Sequence, residues 1–304
     1  MRLRKRVTTE SSPTPAQPPA EPAPTPAQAA EAPVPVDPAV QAEVAAVPGW
    51  FHSIDVGGGV TTGGHKRPEQ LANELSMLGL PDLHGLSVLD IGAWDGFFSF
   101  SAETLGAARV VALDHYAWSV SWPAVYAYNA ECQAAGKPPQ PHDTIPEIWH
   151  PDTLPGKQGF DTARRLRNSK VESVVGDFMT MDLAQLGTFD VVLFLGVLYH
   201  LMDPFLALRR LAQVTRRLAI VESVCVVVPG MGHHPLCEFL ESDELNGDPT
   251  NWWAPNRAGM LAMARAAGFT DVSCPIAPPE DAAPGEYEWH YGRAIMHAAK
   301  STPA

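Results

Sequence analysis

Val88-Leu89-Asp90-Ile91-Gly92-Ala93-Trp94-Asp95-Gly96-Phe97-Phe98-Ser99-Phe100 is the stretch that decides the fold. Ser87 to Ile91 is a short apolar run that predicts a buried strand, and it ends in a glycine turn. Phe97 to Gly106 then predicts a helix. The same alternation continues downstream. Strands are predicted over 109–114, 171–175, 189–195, 218–228, 270–274 and 293–297. Helices are predicted over 69–80, from Asp203-Pro204 through Leu211, and over 256–267. Near-continuous apolar strands alternating with helices predict an α/β fold, a mostly parallel seven-stranded sheet with helices on both faces. Ligands of such sheets bind beyond the carboxyl ends of the strands.

The first 48 residues differ from the rest. They hold 11 Pro and 11 Ala and almost no large apolar side chains, so a disordered tail is expected over 1–48 and a single domain over 49–304. The segment His115 to Asn168 is rich in Trp, Tyr and Pro and reads as an insertion that helps form the acceptor pocket. No apolar run is long enough to span a membrane. Cys132, Cys225, Cys237 and Cys274 are widely spaced with no CxxC pair, which suits a reduced, cytoplasmic compartment.

The net charge is −13, of which the tail, with four basic and five acidic residues, carries −1. That is a poor footprint for gripping a long polyanion. Arg164, Arg165, Arg167 and Lys170 form the best candidate basic strip, with a solvated helix face as the plainer reading. Cys225, His233, His234, Cys237 and Glu238 have zinc-compatible side chains, yet Cys225 falls inside a strand and adjacent histidines rarely share one ion. No metal site is expected there.

The turn after the first strand places Gly92 and Gly96 four apart, with Trp94 where a dinucleotide fingerprint has its middle glycine. A pyrophosphate needs that close approach, so an oxidoreductase built on a dinucleotide is disfavoured. Asp90, just before the glycines, suits a ligand with a cationic amino group. Asp114 ends the second strand, where an acid accepts ribose hydroxyls. Asp177, beside Phe178 at the third strand end, suits an adenine: carboxylate to the exocyclic amine, ring against base. Capping explains any one of these acids, but three at successive strand ends fit a bound nucleoside better.

Leu195-Gly196-Val197-Leu198-Tyr199-His200 closes the fourth strand. The string from Val88 to Phe100, the Gly196 to Leu201 string, and Asn251-Trp252-Trp253-Ala254-Pro255-Asn256 together resemble the class I S-adenosylmethionine (SAM) dependent methyltransferases grouped with the tRNA wobble-uridine 5-oxyacetate (mo5U34) methyltransferases. The resemblance covers about residues 49–300, is weakest over 124–150, and leaves out the tail. It implies a Rossmann-like class I methyltransferase fold, SAM as cofactor, Gly92 as a cofactor contact and Asp114 as the ribose acceptor. Leu195 and Trp94 fall beside the same site.

In the tRNA enzymes that the chain resembles, the cofactor is carboxy-SAM and a Lys, a Tyr and an Arg hold its extra carboxylate. Tyr199 matches the Tyr and Arg293 the Arg, whereas the Lys position falls at His52. A neutral His is a weaker carboxylate partner, which favours ordinary SAM over carboxy-SAM, with Lys66 as an alternative source of charge.

A hydroxyl or amine acceptor benefits from a base, and the candidates are His200 and His52, with Tyr199 positioning. A structural, helix-capping His200 is the competing reading. Trp252 and Trp253 read as a lid packed on the sheet or as an acceptor wall. The expected function is methyl transfer from SAM to a small-molecule or glycan-type acceptor. Methyl or carboxymethyl transfer to wobble uridine in tRNA and non-catalytic SAM binding are the alternatives, the last opposed by intact Tyr199, His200 and Arg293.

Overall fold

A computed structural model describes residues 35–279 and 290–301. Its helices are α1 (Pro38–Ala45), α2 (Pro68–Met77), α3 (Phe97–Thr104), α4 (Tyr116–Ser119), α5 (Trp122–Ala135), α6 (Gln158–Leu166), α7 (Pro204–Val214) and α8 (Arg257–Ala266). Its strands are β1 (Asp55–Gly57), β2 (Val60–Thr61), β3 (Ser87–Ile91), β4 (Arg109–Asp114), β5 (Glu172–Val175), β6 (Phe189–Leu195), β7 (Thr215–Val227), β8 (Cys237–Phe239), β9 (Trp253–Pro255), β10 (Asp271–Ile276) and β11 (His290–Ala299).

Seven strands form one sheet in the order β10-β11-β7-β6-β3-β4-β5. Only β11 runs against its neighbours β7 and β10; the other pairings are parallel. The chain starts the sheet in the middle at β3, builds outward through β4 and β5, then crosses to β6 on the other side. That reversal opens a crevice at the carboxyl ends of β3 and β6. The apolar runs of β3, β4 and β6 are buried because both sheet faces are covered. One core joins α7 and α8 to the sheet through Leu208, Leu211, Met260 and Ala264. The other joins α3 and α6 through Phe100, Phe160 and Ala163.

Part of the stretch expected to be tail is helical. Pro38–Ala45 is helical, with Asp37 as its N-cap, accepting from the Ala39 amide (2.8 Å), and Pro38 at its first turn. Val40 and Val44 pack against the α3/α6 core, and the Trp50 indole donates to the Val44 carbonyl (3.1 Å). Residues 1–34 of that expectation lie outside the described residues. The 115–168 insertion carries α4, α5 and α6 and has its own small core of Val120, Val125 and Ile148. No helix among the described residues is long and apolar enough to cross a membrane. No disulfide joins the four cysteines. The described residues contain no group of three or more His, Cys, Asp or Glu placed to hold a metal, and the His233 and His234 rings meet at a tilt of 43° (4.0 Å).

Candidate active site

The glycine turn is held open by the strand beside it. Gly92 (φ 79°) and Gly96 (φ 90°) take left-handed conformations, and so does Trp94 (φ 51°), which is uncommon for a residue with a side chain. Asp114 offsets that strain. One of its carboxylate oxygens accepts from the Trp94 amide (2.9 Å) and the other from the Ala117 amide (3.0 Å), while the Trp118 indole donates to the Trp94 carbonyl (2.6 Å). Burial pushes the Asp114 pKa up to about 6, against the pull of these backbone donors. Asp90 is raised to about 6 by burial too, opposed by the Ser99 hydroxyl, which donates to it at 2.6 Å.

A Cβ on Gly92 would lie 2.5 Å from Val197 Cγ2, so the glycine turn and the turn after β6 meet there. Both turns stand at the crevice. This cradle, with two buried carboxylates behind it, fits the methionine and ribose ends of a nucleoside cofactor. Asp177 instead organises its own turn, accepting from the Met179 amide (2.8 Å) and the Thr180 hydroxyl (2.9 Å). Phe178 is buried in the core against Phe194 (5.7 Å), with the Arg210 guanidinium over its face. Its ring is therefore engaged with the protein.

Trp94 is sandwiched between Phe51 (3.9 Å) and Trp122 (4.4 Å), which ties the loop before β1 and the insertion to the glycine turn. The neighbouring His52 is buried. Its Nδ1 bonds one oxygen of Asp95, whose other oxygen accepts from the amides of Phe51 (2.9 Å) and His52 (2.8 Å). Lys66 does not supply the charge considered for this place: its ammonium is bound to Glu74 (2.7 Å).

At the turn after β6, Leu195 is half-buried and Gly196 donates to the Glu222 carbonyl (3.0 Å). The Arg293 guanidinium lies over the Tyr199 ring (4.9 Å) and is bound through two nitrogens to the Glu222 carboxylate. Burial raises the Tyr199 pKa, partly opposed by Arg293. His200 stands next to this trio, its ring 4.2 Å from that of Tyr199. Its Nδ1 meets the Thr250 hydroxyl (2.9 Å) and carbonyl (3.1 Å), and the Thr250 hydroxyl reaches Asp248 (2.6 Å). Burial lowers the His200 pKa and so favours the neutral ring, against the pull of Asp248.

The segment holding Thr250 is strapped to the turn. The Trp252 amide donates to the Tyr199 carbonyl (2.8 Å) and the Trp253 indole to the Met202 carbonyl (3.0 Å). Trp253 is thus fixed to the turn and packs on Phe239 (5.0 Å).

The structure brings together Gly92, Trp94, Gly96 and Asp114 at one turn, Tyr199, His200 and Arg293 at the next, and seats His52 on Asp95. Sequence reasoning missed four partners: Asp95, Glu222, Asp248 and Thr250. Glu222 carried a signal, as the one acid inside the apolar β7 run. Asp95 lay within the glycine string but 43 residues from its histidine.

Comparisons with known proteins agree with this architecture. A methyltransferase-domain family model matches residues 156–221. The tRNA U34 carboxymethyltransferase of Pseudomonas savastanoi pv. phaseolicola is 27% identical over 195 residues, covering 64% of this chain and 48% of that protein. The Pseudomonas fluorescens (strain Pf0-1) protein of the same name is 24% identical over 199 residues. The chain spans about half the length of these curated relatives. Among solved structures, the N-terminal domain of EvdMO1 in the presence of SAH and D-fucose aligns with a TM-score of 0.56 at 14% identity, covering 86% of this chain and 96% of that one. The same domain with SAH bound gives 0.53 at 15% identity. The fold is Rossmann-like, the seven-stranded, mostly parallel sheet shared with these SAH-bound domains. The chain is thus similar to SAM-dependent methyltransferases, through the methyltransferase-domain match over residues 156–221 and through its likeness in sequence to the tRNA U34 carboxymethyltransferases.

Proposed function

We propose that this protein transfers a methyl group from SAM to a hydroxyl or amine of a small-molecule, glycan-type acceptor, with His200 as the base. The observation that carries this reading is the seat of His200: its Nδ1 is held by Thr250, and its Nε2 has no hydrogen-bond partner among the described residues. A neutral imidazole with one open nitrogen accepts a proton from an acceptor at pH 7. Gly92, Gly96, Asp90 and Asp114 would hold the cofactor's methionine and ribose, and Tyr199 would position the acceptor. SAM, when bound, would supply an electrophilic methyl, and His200 would take the proton that the acceptor gives up.

Three observations support SAM and a small acceptor over carboxy-SAM and tRNA. Arg293 already pairs with Glu222, and His52 with Asp95, so both candidate anchors for an extra carboxylate face a carboxylate of the protein. Two of the four members of the candidate basic strip are engaged internally: Arg165 pairs with Glu43, and Arg167 donates to the Asp55 carbonyl and Thr104. The net charge of −13 opposes a polyanion. The EvdMO1 domain, studied with D-fucose, provides a precedent for a sugar beside this fold. Similarity to the tRNA enzymes favours the second reading, transfer to wobble uridine.

Incubating the protein with methyl-labelled SAM and, in parallel, deoxysugar glycosides and tRNA carrying 5-hydroxyuridine at the wobble position separates the two. Label in the glycoside fraction supports the first reading. Label confined to tRNA replaces it with the second.

A further inference from the structure

We propose that Asp248 and Thr250 are positioning residues that lock His200 in its Nδ1–H tautomer and turn its Nε2 lone pair toward the acceptor. The inference deepens the proposed function and rests on His200 being the base.

The hydrogen-bond directions follow from what each atom is able to donate. An ionised carboxylate only accepts, so at 2.6 Å the Thr250 hydroxyl gives its single hydrogen to Asp248. The Thr250 oxygen then has only lone pairs to offer to His200 Nδ1 (2.9 Å), and the Thr250 carbonyl (3.1 Å) has only lone pairs as well. Both neighbours of Nδ1 therefore demand a hydrogen on it. In a neutral ring that leaves Nε2 unprotonated.

The relay is itself held in place. Asp248 accepts from the Thr250 amide (2.9 Å) across Pro249, and the Asn251 side chain anchors the loop by donating to the Leu245 carbonyl (2.8 Å). The charged and titratable groups facing His200 are Asp248, Arg293 and Tyr199. Arg293 is neutralised by Glu222, and on its far side Asp248 is sensed by Tyr116 and His142, with Asp143 nearby. Asp248 is thus the group that favours a positive charge on His200 after it takes the acceptor's proton.

Long-range proton–nitrogen NMR of histidine-labelled protein reads the tautomer and titration midpoint of His200 directly, without an acceptor. H200Q assigns the signal. The wild type is expected to show the Nδ1–H tautomer. In D248N and T250V the midpoint is expected to move down and the minor tautomer to grow, while T250S restores the wild-type pattern. Calorimetric titration with SAM, expected to give the same affinity in all these variants, shows that the fold is intact. Should T250V not fold, D248N and T250S carry the comparison. A wild-type Nε2–H tautomer, or a midpoint unmoved in D248N, would overturn the relay. Failure of the wild type to bind SAM would instead overturn the cofactor reading and leave the tautomer result standing.

Discussion

Arg293 and Glu222 are diagonal neighbours on the antiparallel β7–β11 ladder, where Arg293 is in register with Val224 and Ile295 with Glu222. The diagonal brings guanidinium and carboxylate together as a two-nitrogen pair at the mouth of the site. Removing the acid frees a positive charge beside Tyr199. E222Q is therefore expected to raise affinity for carboxy-SAM relative to SAM by about tenfold, roughly 1.4 kcal/mol, which is within the range of a charge-assisted hydrogen bond. Paired calorimetric titrations measure that ratio, and a ratio unchanged from wild type would mean that Arg293 does not face the cofactor.

Asp95 satisfies three donors at a buried position: the amides of Phe51 and His52 and the His52 ring. D95A would leave all three unpaired, and D95N would keep the shape while reversing or weakening one bond. Thermal unfolding is expected to show a loss of about 3 kcal/mol for D95A and clearly less for D95N. Equal losses would place the effect in packing.

Gly92 joins a left-handed backbone to a close approach. G92A adds strain of about 1 kcal/mol for the positive φ and a clash with Val197, whose Cγ2 lies 2.5 Å from the new Cβ. The double variant G92A/V197A is expected to recover part of the lost melting temperature without recovering SAM affinity, because the added methyl still fills the cradle. Recovery of both would separate Gly92 from the cofactor.

Asp114 ties stability to pH. Its folded pKa, about 6, lies above the ordinary value of 3.8, so its favourable contribution is present below pH 3.8 and is lost as pH rises through 6. The destabilisation caused by D114N is expected to be larger at pH 4.5 than at pH 7.5, by an amount on the order of 2 kcal/mol. Denaturant melts of both proteins at the two pH values give this difference. A smaller effect at pH 4.5 would reverse the sign and contradict burial as the cause.

Much of the architecture was legible in the residues. The bounds of β3, β4 and β6 coincide with the apolar runs read from the sequence, since strands buried on both faces have no polar alternation to blur them. Helix α1 was hidden by its setting: the Asp37-Pro38 start signal is present, but Pro and Ala on either side masked it. The β8–β9 pair is three residues per strand, too short for any period to show. The site divided the same way. Asp90, Gly92, Asp114, Tyr199 and His200 sit in local strings, whereas Asp95 with His52, Glu222 with Arg293, and Thr250 with His200 are joined only by folding, across 43, 71 and 50 residues.

The most direct test of the account is calorimetric titration of the wild-type protein with SAM and, separately, with carboxy-SAM. With Glu222 on Arg293 and Asp95 on His52, SAM is expected to bind at least tenfold more tightly, since a further carboxylate would meet two that are already in place. Tighter binding of carboxy-SAM would contradict the reading of these two pairs and move transfer to tRNA into first place.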